Sequence, residues 1–269
     1  MQLRKKPMNE AEILFTEILG CQRHNLYLDK DKRLDQEKSA FISQTLKRRI
    51  NGEPLDYILG KTEFMGLEFK VDNRVLIPRA DTEVLVEAVI ELSQEIKGEI
   101  KILDVGTGSG CIAISLAKFI PRAFIDAVDI SPGALEVAKI NAGLNNVKNR
   151  VQFSESDLFQ NIRTGEGKYD IIVSNPPYIV RREIERLSKE VRHEPRAALD
   201  GGLDGLDFYR RIIKEPRFYL KDNGFLVLEI GFGQRNYVEN ILQEYEYFNI
   251  IKVIKDYNNI DRVLVAQMA

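Results

Sequence analysis

Apolar residues recur at helical spacing near the start of the chain. Ile13, Leu14, Ile18 and Leu19 predict a helix over residues 8–20. Phe41, Ile42, Leu46 and Ile50 predict a second over 36–50, stopped by Asn51-Gly52. The period then shortens to two. Phe64, Leu67, Phe69 and Val71 alternate around Met65-Gly66 and Asp72-Asn73, which predicts a hairpin connecting the helices to the rest of the chain. From residue 81 the pattern becomes a regular exchange of amphipathic helices and short apolar strands. A helix carrying Val84, Leu85, Val89 and Leu92 is followed by strand KILDV, helix CIAISLAKF, strand FIDAVDI, helix PGALEVAKINAGL and strands VQF and YDIIVSN. After a polar stretch over 181–205 come helix DFYRRIIKEPRFYL, strand GFLVLEI, helix QRNYVENILQEY and strands NIIKVIKD and RVLVAQM. Alternation of this kind predicts an α/β fold with a mostly parallel sheet covered on both faces. The last two strands are joined by a segment too short for a parallel crossover, so they are expected to form a terminal antiparallel hairpin.

The pattern divides the chain into a small helical part with its hairpin connector over 1–75 and an α/β part over 76–269. With 269 residues and 44% hydrophobic content the chain can bury a core without disulfides or metal. The 39 basic and 41 acidic side chains leave a net charge of −2, which offers no overall attraction for a polyanion and argues against a primary DNA binder. Cys21 and Cys111 are too few for a disulfide framework and have no zinc-ligand spacing; no metal is expected. The first residues have no apolar run long enough for a signal segment, and no later run approaches the roughly 20 residues that span a bilayer. A cytoplasmic protein is the expectation.

Candidate chemistry begins at the end of strand KILDV, with Asp104-Val-Gly106-Thr107-Gly108-Ser109-Gly110. Glycines at a strand-to-helix turn allow close backbone approach, and free N–H groups at the helix start suit an acidic group. The next strand ends at Asp129, 19 residues beyond Gly110, where a carboxylate can accept from both hydroxyls of a ribose. This narrows the ligand to one that contains adenosine. Asp126, on the same strand but not at its carboxyl end, reads as a structural or solvated charge.

Ser174-Asn175-Pro176-Pro177-Tyr178 follows the apolar strand that begins at Tyr169. Two prolines keep the chain extended and donate nothing, so the Pro176 carbonyl and the Asn175 amide oxygen form adjacent acceptors suited to an NH₂ group. Tyr178 adds a flat face for a planar amide or base.

The glycine loop, Asp129 and Asn-Pro-Pro-Tyr together resemble class I S-adenosylmethionine methyltransferases that act on exocyclic or amide nitrogen. More narrowly, the chain resembles the PrmC/HemK family, which methylates the glutamine of the GGQ motif in class 1 peptide chain release factors. The resemblance runs through residues 52–60, Phe64 to Phe69, Val75 to Arg79, Asp81-Thr82-Glu83 and Glu194 to Tyr209. It implies a Rossmann-like fold with S-adenosylmethionine as cofactor and a helical N-terminal domain that helps recognise the release factor. Asp104, Gly106, Thr107, Gly108, Ser109 and Gly110 would hold the methionine part, Asp129 the ribose, and Asp157 and Leu158 the adenine, with Asn175 completing the cofactor set. Asn175, Pro176, Pro177 and Tyr178 would hold the substrate amide, and Asn175, Pro176 and Tyr178 are the catalytic candidates. A monomer without a membrane or a stable nucleic-acid partner is expected. Two departures from the family pattern stand out. Ala80 replaces the usual proline, which could loosen a loop beside the cleft, and residues 257–262 replace a glycine-containing turn that is expected to lie away from the chemistry.

Other residues read more plainly. His193 is expected on the surface, Cys111 as a packed thiol, and the run Arg181 to Arg186 as a solvated helix face. The clusters Arg4, Lys5, Lys6 and Lys47, Arg48, Arg49 read as solvated helix ends. Competing functions are methylation of a ribosomal-protein glutamine, adenine-N(6) methylation of nucleic acid, and cofactor binding without catalysis.

Overall fold

Asn9 starts the first helix by accepting from the Glu12 amide at 2.9 Å while the Glu12 carboxylate accepts from the Asn9 amide at 2.9 Å. In the computed structural model, which describes residues 8–28, 33–162 and 168–269, this helix, α1, runs Glu10–Leu19 and ends at Gly20. Arg4, Lys5 and Lys6 lie outside the described residues. Helices α2 (Asn25–Leu28), α3 (Gln36–Ile50) and α4 (Leu55–Leu59) pack around α1. Both expected helices are present, and α2 and α4 are too short for periodicity to reveal them.

The hairpin forms as β1 (Lys61–Phe64) and β2 (Leu67–Lys70), with Phe64 opposite Leu67. Met65 and Gly66 both have positive φ, 52° and 70°, the turn that matches strand twist. Phe64 and Phe69 meet edge to face with ring centroids 6.1 Å apart and join the core of the α/β part. The Asn141 side chain accepts from the Lys70 amide at 2.7 Å and donates to its carbonyl at 3.0 Å, so the connector is fastened to the α/β part.

The main sheet, among the described residues, contains β3 (Ile100–Val105), β4 (Ala123–Asp129), β5 (Val151–Glu155), β6 (Tyr169–Ser174), β7 (Leu220–Glu229), β8 (Phe248–Lys255) and β9 (Asp261–Met268), in the order β5-β4-β3-β6-β7-β9-β8. The first five are parallel, and β9 lies antiparallel to both β7 and β8, as the short connection requires. Alternation sorts side chains to two faces. Ile100 and Ile102 of β3 and Phe225 and Val227 of β7 meet α5 (Ala80–Ser93) and α6 (Cys111–Phe119). Leu103, Val105, Leu226 and Leu228 meet α8 (Asp207–Lys214) and α9 (Arg235–Gln243). Helix α7 (Pro132–Leu144) covers β4 and β5. No helix among the described residues is long and apolar enough to cross a membrane.

One helix is shorter than its pattern. The segment DFYRRIIKEPRFYL leaves the α-helix at Lys214, because Pro216 lacks the N–H that continuation needs and opens a separate 3-10 turn. Strand β7 accordingly begins at Leu220 rather than Gly224. The polar stretch 181–205 is folded as three short 3-10 turns. Register places Val105 beside Val128, Asp104 beside Val173, and Ser174 beside Leu228, so the carboxyl ends of four strands converge at the point where chain direction across the sheet reverses.

Candidate active site

The glycine loop is pinned to the neighbouring strand. The amides of Gly106 and Thr107 both donate to the Val128 carbonyl at 2.9 Å, and the Gly108 amide donates to Asp129 Oδ2 at 2.8 Å. Asp129 Oδ1 accepts from the Ser131 amide at 2.9 Å, which starts α7. Each carboxylate oxygen keeps a second lone pair. Burial raises the Asp129 pKa against the pull of these amides. Asp104 is fully buried below the loop; its Oδ2 accepts from Thr107 Oγ1 at 2.6 Å, and its Oδ1 has no hydrogen-bond partner among the described residues. Burial pushes its pKa to about 7.

The loop has room for a ligand. A Cβ placed on Gly106 or Gly108 would meet nothing within 4 Å, whereas one on Gly110 would meet Ile114 Cδ1 at 2.9 Å and Ala138 Cβ at 3.1 Å. Two glycines therefore border open space and the third permits helix packing. On the far side of Asp129, Asp157 Oδ1 accepts from Arg211 at 2.7 Å, and Leu158 adopts φ 53° with its side chain against the core. An open backbone cradle with one buried and one half-buried carboxylate beside it fits an adenosyl cofactor with a charged tail.

Ser174 Oγ donates to the Val105 carbonyl at 2.7 Å and ties the end of β6 to the glycine loop. Asn175 follows, half-buried, and its Nδ2 donates to Thr82 Oγ1 at 3.1 Å. Thr82 Oγ1 in turn donates to Glu229 Oε2 at 2.7 Å. The amide nitrogen of Asn175 is thus engaged inward. Pro176 is buried, while Pro177 and Tyr178 are half-buried. The Tyr178 hydroxyl donates to Glu229 Oε1 at 3.4 Å, and its carbonyl accepts from Gln234 Nε2 at 3.0 Å. Burial pushes the Tyr178 hydroxyl up to about 12, so it remains protonated.

His193 is exposed, its Nδ1 2.8 Å from the Lys189 carbonyl, and Glu194 turns away to accept from Arg79 at 2.6 Å. Cys111 is a packed residue, buried, with its thiol pushed up to about 12 by desolvation. Asp126 accepts from Lys168 at 3.0 Å and Tyr169 at 2.6 Å, a structural charge. The segment Arg181–Arg186 is a 3-10 turn exposed except for Ile184. Of the basic cluster on α3, Arg48 pairs with Glu53, while Arg49 binds Glu10 and, at 2.5 Å, Glu190 of the α/β part. Ala80 is the exposed first residue of α5, a position that suits proline but does not need it.

Of residues 257–262, Tyr257, Asn258 and Asn259 are exposed in the turn, while Arg262 lies beside the candidate site. Arg262 reaches Asp81 at 3.2 Å and donates to the Ile230 carbonyl at 3.3 Å, because β9 enters the sheet beside β7.

Residues 2–60 match a family model described as the PrmC N-terminal domain, and residues 80–203 one described as the methyltransferase small domain. A release factor glutamine methyltransferase of Geobacter sulfurreducens is 44% identical over 95% of this chain and 87% of its own length. The chain belongs to the release factor glutamine methyltransferase family. A second relative of that name, from Fusobacterium nucleatum, is 42% identical over 98% of this chain and 74% of its own. Among solved structures, a ribosomal protein L11 methylase from Lactobacillus delbrueckii subsp. bulgaricus is 22% identical over 71% of this chain and 80% of its own, with a TM-score of 0.52, a likeness of fold. This family member is a methyltransferase with the Rossmann-like class I fold, and S-adenosylmethionine is its cofactor.

Thr82, Glu229 and Gln234 have no role that sequence reasoning assigns. Glu229 has a visible signal, a carboxylate closing the apolar run Phe225 to Leu228 at a strand's carboxyl end. Thr82 lies in the Asp81-Thr82-Glu83 segment of the family resemblance, which assigns it no role, and a threonine in the first turn of a helix is otherwise ordinary.

Proposed function

We propose that this protein transfers the methyl group of S-adenosylmethionine to the side-chain amide nitrogen of the GGQ glutamine in class 1 peptide chain release factors. The observation that carries the reading is the orientation of Asn175. With Nδ2 donating to Thr82, its Oδ1 has no hydrogen-bond partner among the described residues and is left to accept, as is the Pro176 carbonyl next to it in the chain. Two adjacent acceptors match the two hydrogens of a primary amide. The names of the relatives at 40–44% identity support glutamine in a release factor as the acceptor.

S-adenosylmethionine supplies an electrophilic methyl carried on a sulfonium. Asp104 and residues 106–110 hold its methionine end, Asp129 its ribose, and Asp157 with Leu158 its adenine. Asn175 and Pro176 hold the glutamine nitrogen, a poor nucleophile because its lone pair is delocalised into the carbonyl. Their two acceptors orient that nitrogen and favour the positive charge it gains in attack. Tyr178 and Pro177 close the amide plane. Positioning supplies the catalysis and no strong general base is required.

Residues 1–75 act as the substrate-recognition domain, residues 76–269 as the methyltransferase domain, and the protein works as a monomer in the cytoplasm without a stable nucleic-acid partner. The test incubates purified protein and S-adenosylmethionine separately with a release factor, a ribosomal protein carrying a candidate glutamine, and unmethylated DNA, then maps any methyl gained by mass spectrometry. A methyl on the GGQ glutamine, lost when that glutamine is alanine, supports the reading. Label confined to the ribosomal protein or the DNA would overturn its substrate.

A further inference from the structure

Glu229 ends β7 on the sheet face that α5 covers, and it is 1% exposed. Burying a carboxylate is costly unless its acceptors are met, and methyl transfer by positioning alone consumes no carboxylate here. Burial pushes its pKa to about 7, against the Thr82 hydrogen bond and the nearby Arg262 charge. What it does is visible in its bonds. Oε2 accepts a hydrogen bond from the Thr82 hydroxyl at 2.7 Å, and that hydroxyl then has lone pairs alone to offer Asn175, whose Nδ2 donates to them at 3.1 Å. Oε1 accepts from Tyr178, so both ends of Asn-Pro-Pro-Tyr converge on one carboxylate.

In its ionised form, which prevails only above the raised pKa of about 7, the carboxylate accepts and never donates, and this fixes the sense of the whole chain. If the Asn175 amide were flipped, its Oδ1 would face the Thr82 oxygen with no proton between them. A neutral residue at 229 would permit either sense.

We propose that Glu229 and Thr82 are positioning residues for methyl transfer: the carboxylate sets the direction of the Thr82 hydroxyl, and the hydroxyl holds the Asn175 amide with its oxygen toward the substrate nitrogen. The role in transfer rests on the reading of Asn175 as the substrate's acceptor. Neither residue touches the reacting atoms.

The test combines Thr82→Val, Thr82→Ser, Glu229→Gln and the double variant Thr82→Val/Glu229→Gln. Thr82→Val keeps shape and removes the relay; it is expected to lower kcat about tenfold or more while KM for the release factor and the cofactor Kd change less than about threefold. Thr82→Ser restores the rate. Glu229→Gln alone lowers kcat, but adds less than about twofold in the Thr82→Val background, because both act through one hydroxyl. Wild-type kcat in Thr82→Val, or fully additive losses, would overturn the proposal. A second readout needs no substrate: the Asn175 side-chain NH₂ resonance, assigned by its loss in Asn175→Asp, shifts in Thr82→Val and returns in Thr82→Ser. An unmoved resonance overturns the relay even where a variant is destabilised. Should the wild-type protein methylate no release factor, the substrate reading fails, and the resonance still decides the relay.

Discussion

Arg262 Nη2 lies 3.2 Å from Asp81 Oδ2, which ties the start of the last strand to the first turn of α5, one residue before Thr82. The same guanidinium donates to Asp256 Oδ2 at 3.0 and 3.1 Å and to the carbonyl of Ile230, the residue after Glu229. It therefore braces both elements that present the relay to Asn175. Arg262→Met keeps much of the length and removes the charge, leaving buried Asp256 without its cation. The expected result is a Tm lower by roughly 5 °C or more, since breaking a buried pair exposes the full desolvation cost of the remaining partner. Methyl transfer falls with it. Scanning calorimetry and a transfer assay at a temperature where both proteins are folded check the two effects, and an unchanged rate would remove Arg262 from the support of the site.

Asn175→Ala removes the proposed acceptor itself. Methyl transfer is expected to fall by about a hundredfold or more, the order lost with one oriented catalytic hydrogen bond. Cofactor affinity, measured by calorimetry, changes far less. A near-normal rate would take Asn175 out of the reaction.

Legibility in the sequence tracks the range of each interaction. The parallel core is readable because Ile100, Ile102, Phe225 and Val227 lie in apolar strands set between helical patterns, and the glycine loop and Asn-Pro-Pro-Tyr are readable because each is a continuous segment at a strand end. The contacts that orient those segments are not continuous. Thr82 and Asn175 are 93 positions apart, Thr82 and Glu229 are 147 apart, and the pairing rests on α5 crossing the face of β7. Sequence reasoning misplaces Arg262 for the same reason: insertion of β9 between β7 and β8 moves a terminal hairpin inward, and hydrophobic period carries no strand order. Pro216, by contrast, is a local signal whose effect on the helix can be read from its missing N–H.

Asp129 has two duties that one substitution separates from Asn175. It would hold the ribose, and it also anchors the Gly108 amide at 2.8 Å. Asp129→Ala is expected to weaken S-adenosylmethionine binding about tenfold or more, through lost charge-assisted hydrogen bonds and a loosened loop. Isothermal calorimetry reads this directly. Unchanged affinity would remove Asp129 from the cofactor site.

Asp104 gives a pH signature. Burial raises its pKa from 3.8 to about 7 in the folded protein. A raised carboxyl binds its proton more tightly in the folded state, so its contribution is fully present below about pH 4 and is lost as pH rises through about 7. Asp104→Asn lacks that titration. Relative to the wild-type protein, its unfolding free energy should improve between pH 5 and pH 8 by at least about 1 kcal/mol, measured by urea denaturation without cofactor. A constant difference across that range would mean that Asp104 does not titrate there.

Gly108 and Gly110 share left-handed backbone, φ 54° and 81°, yet their surroundings differ. Alanine at either costs about 1 kcal/mol for that conformation alone. At Gly110 the new Cβ would also press on Ile114 and Ala138, where α6 packs against α7. At Gly108 it would enter open space above the loop. Gly110→Ala should therefore lower stability by about 2 kcal/mol or more in urea denaturation, because an overpacked contact adds to the backbone cost. Gly108→Ala should lose about half as much stability or less but bind S-adenosylmethionine about tenfold more weakly, because the methyl occupies the space the cofactor needs. Equal stability losses with unchanged cofactor affinity in Gly108→Ala would show that the open space above the loop is not where the cofactor sits.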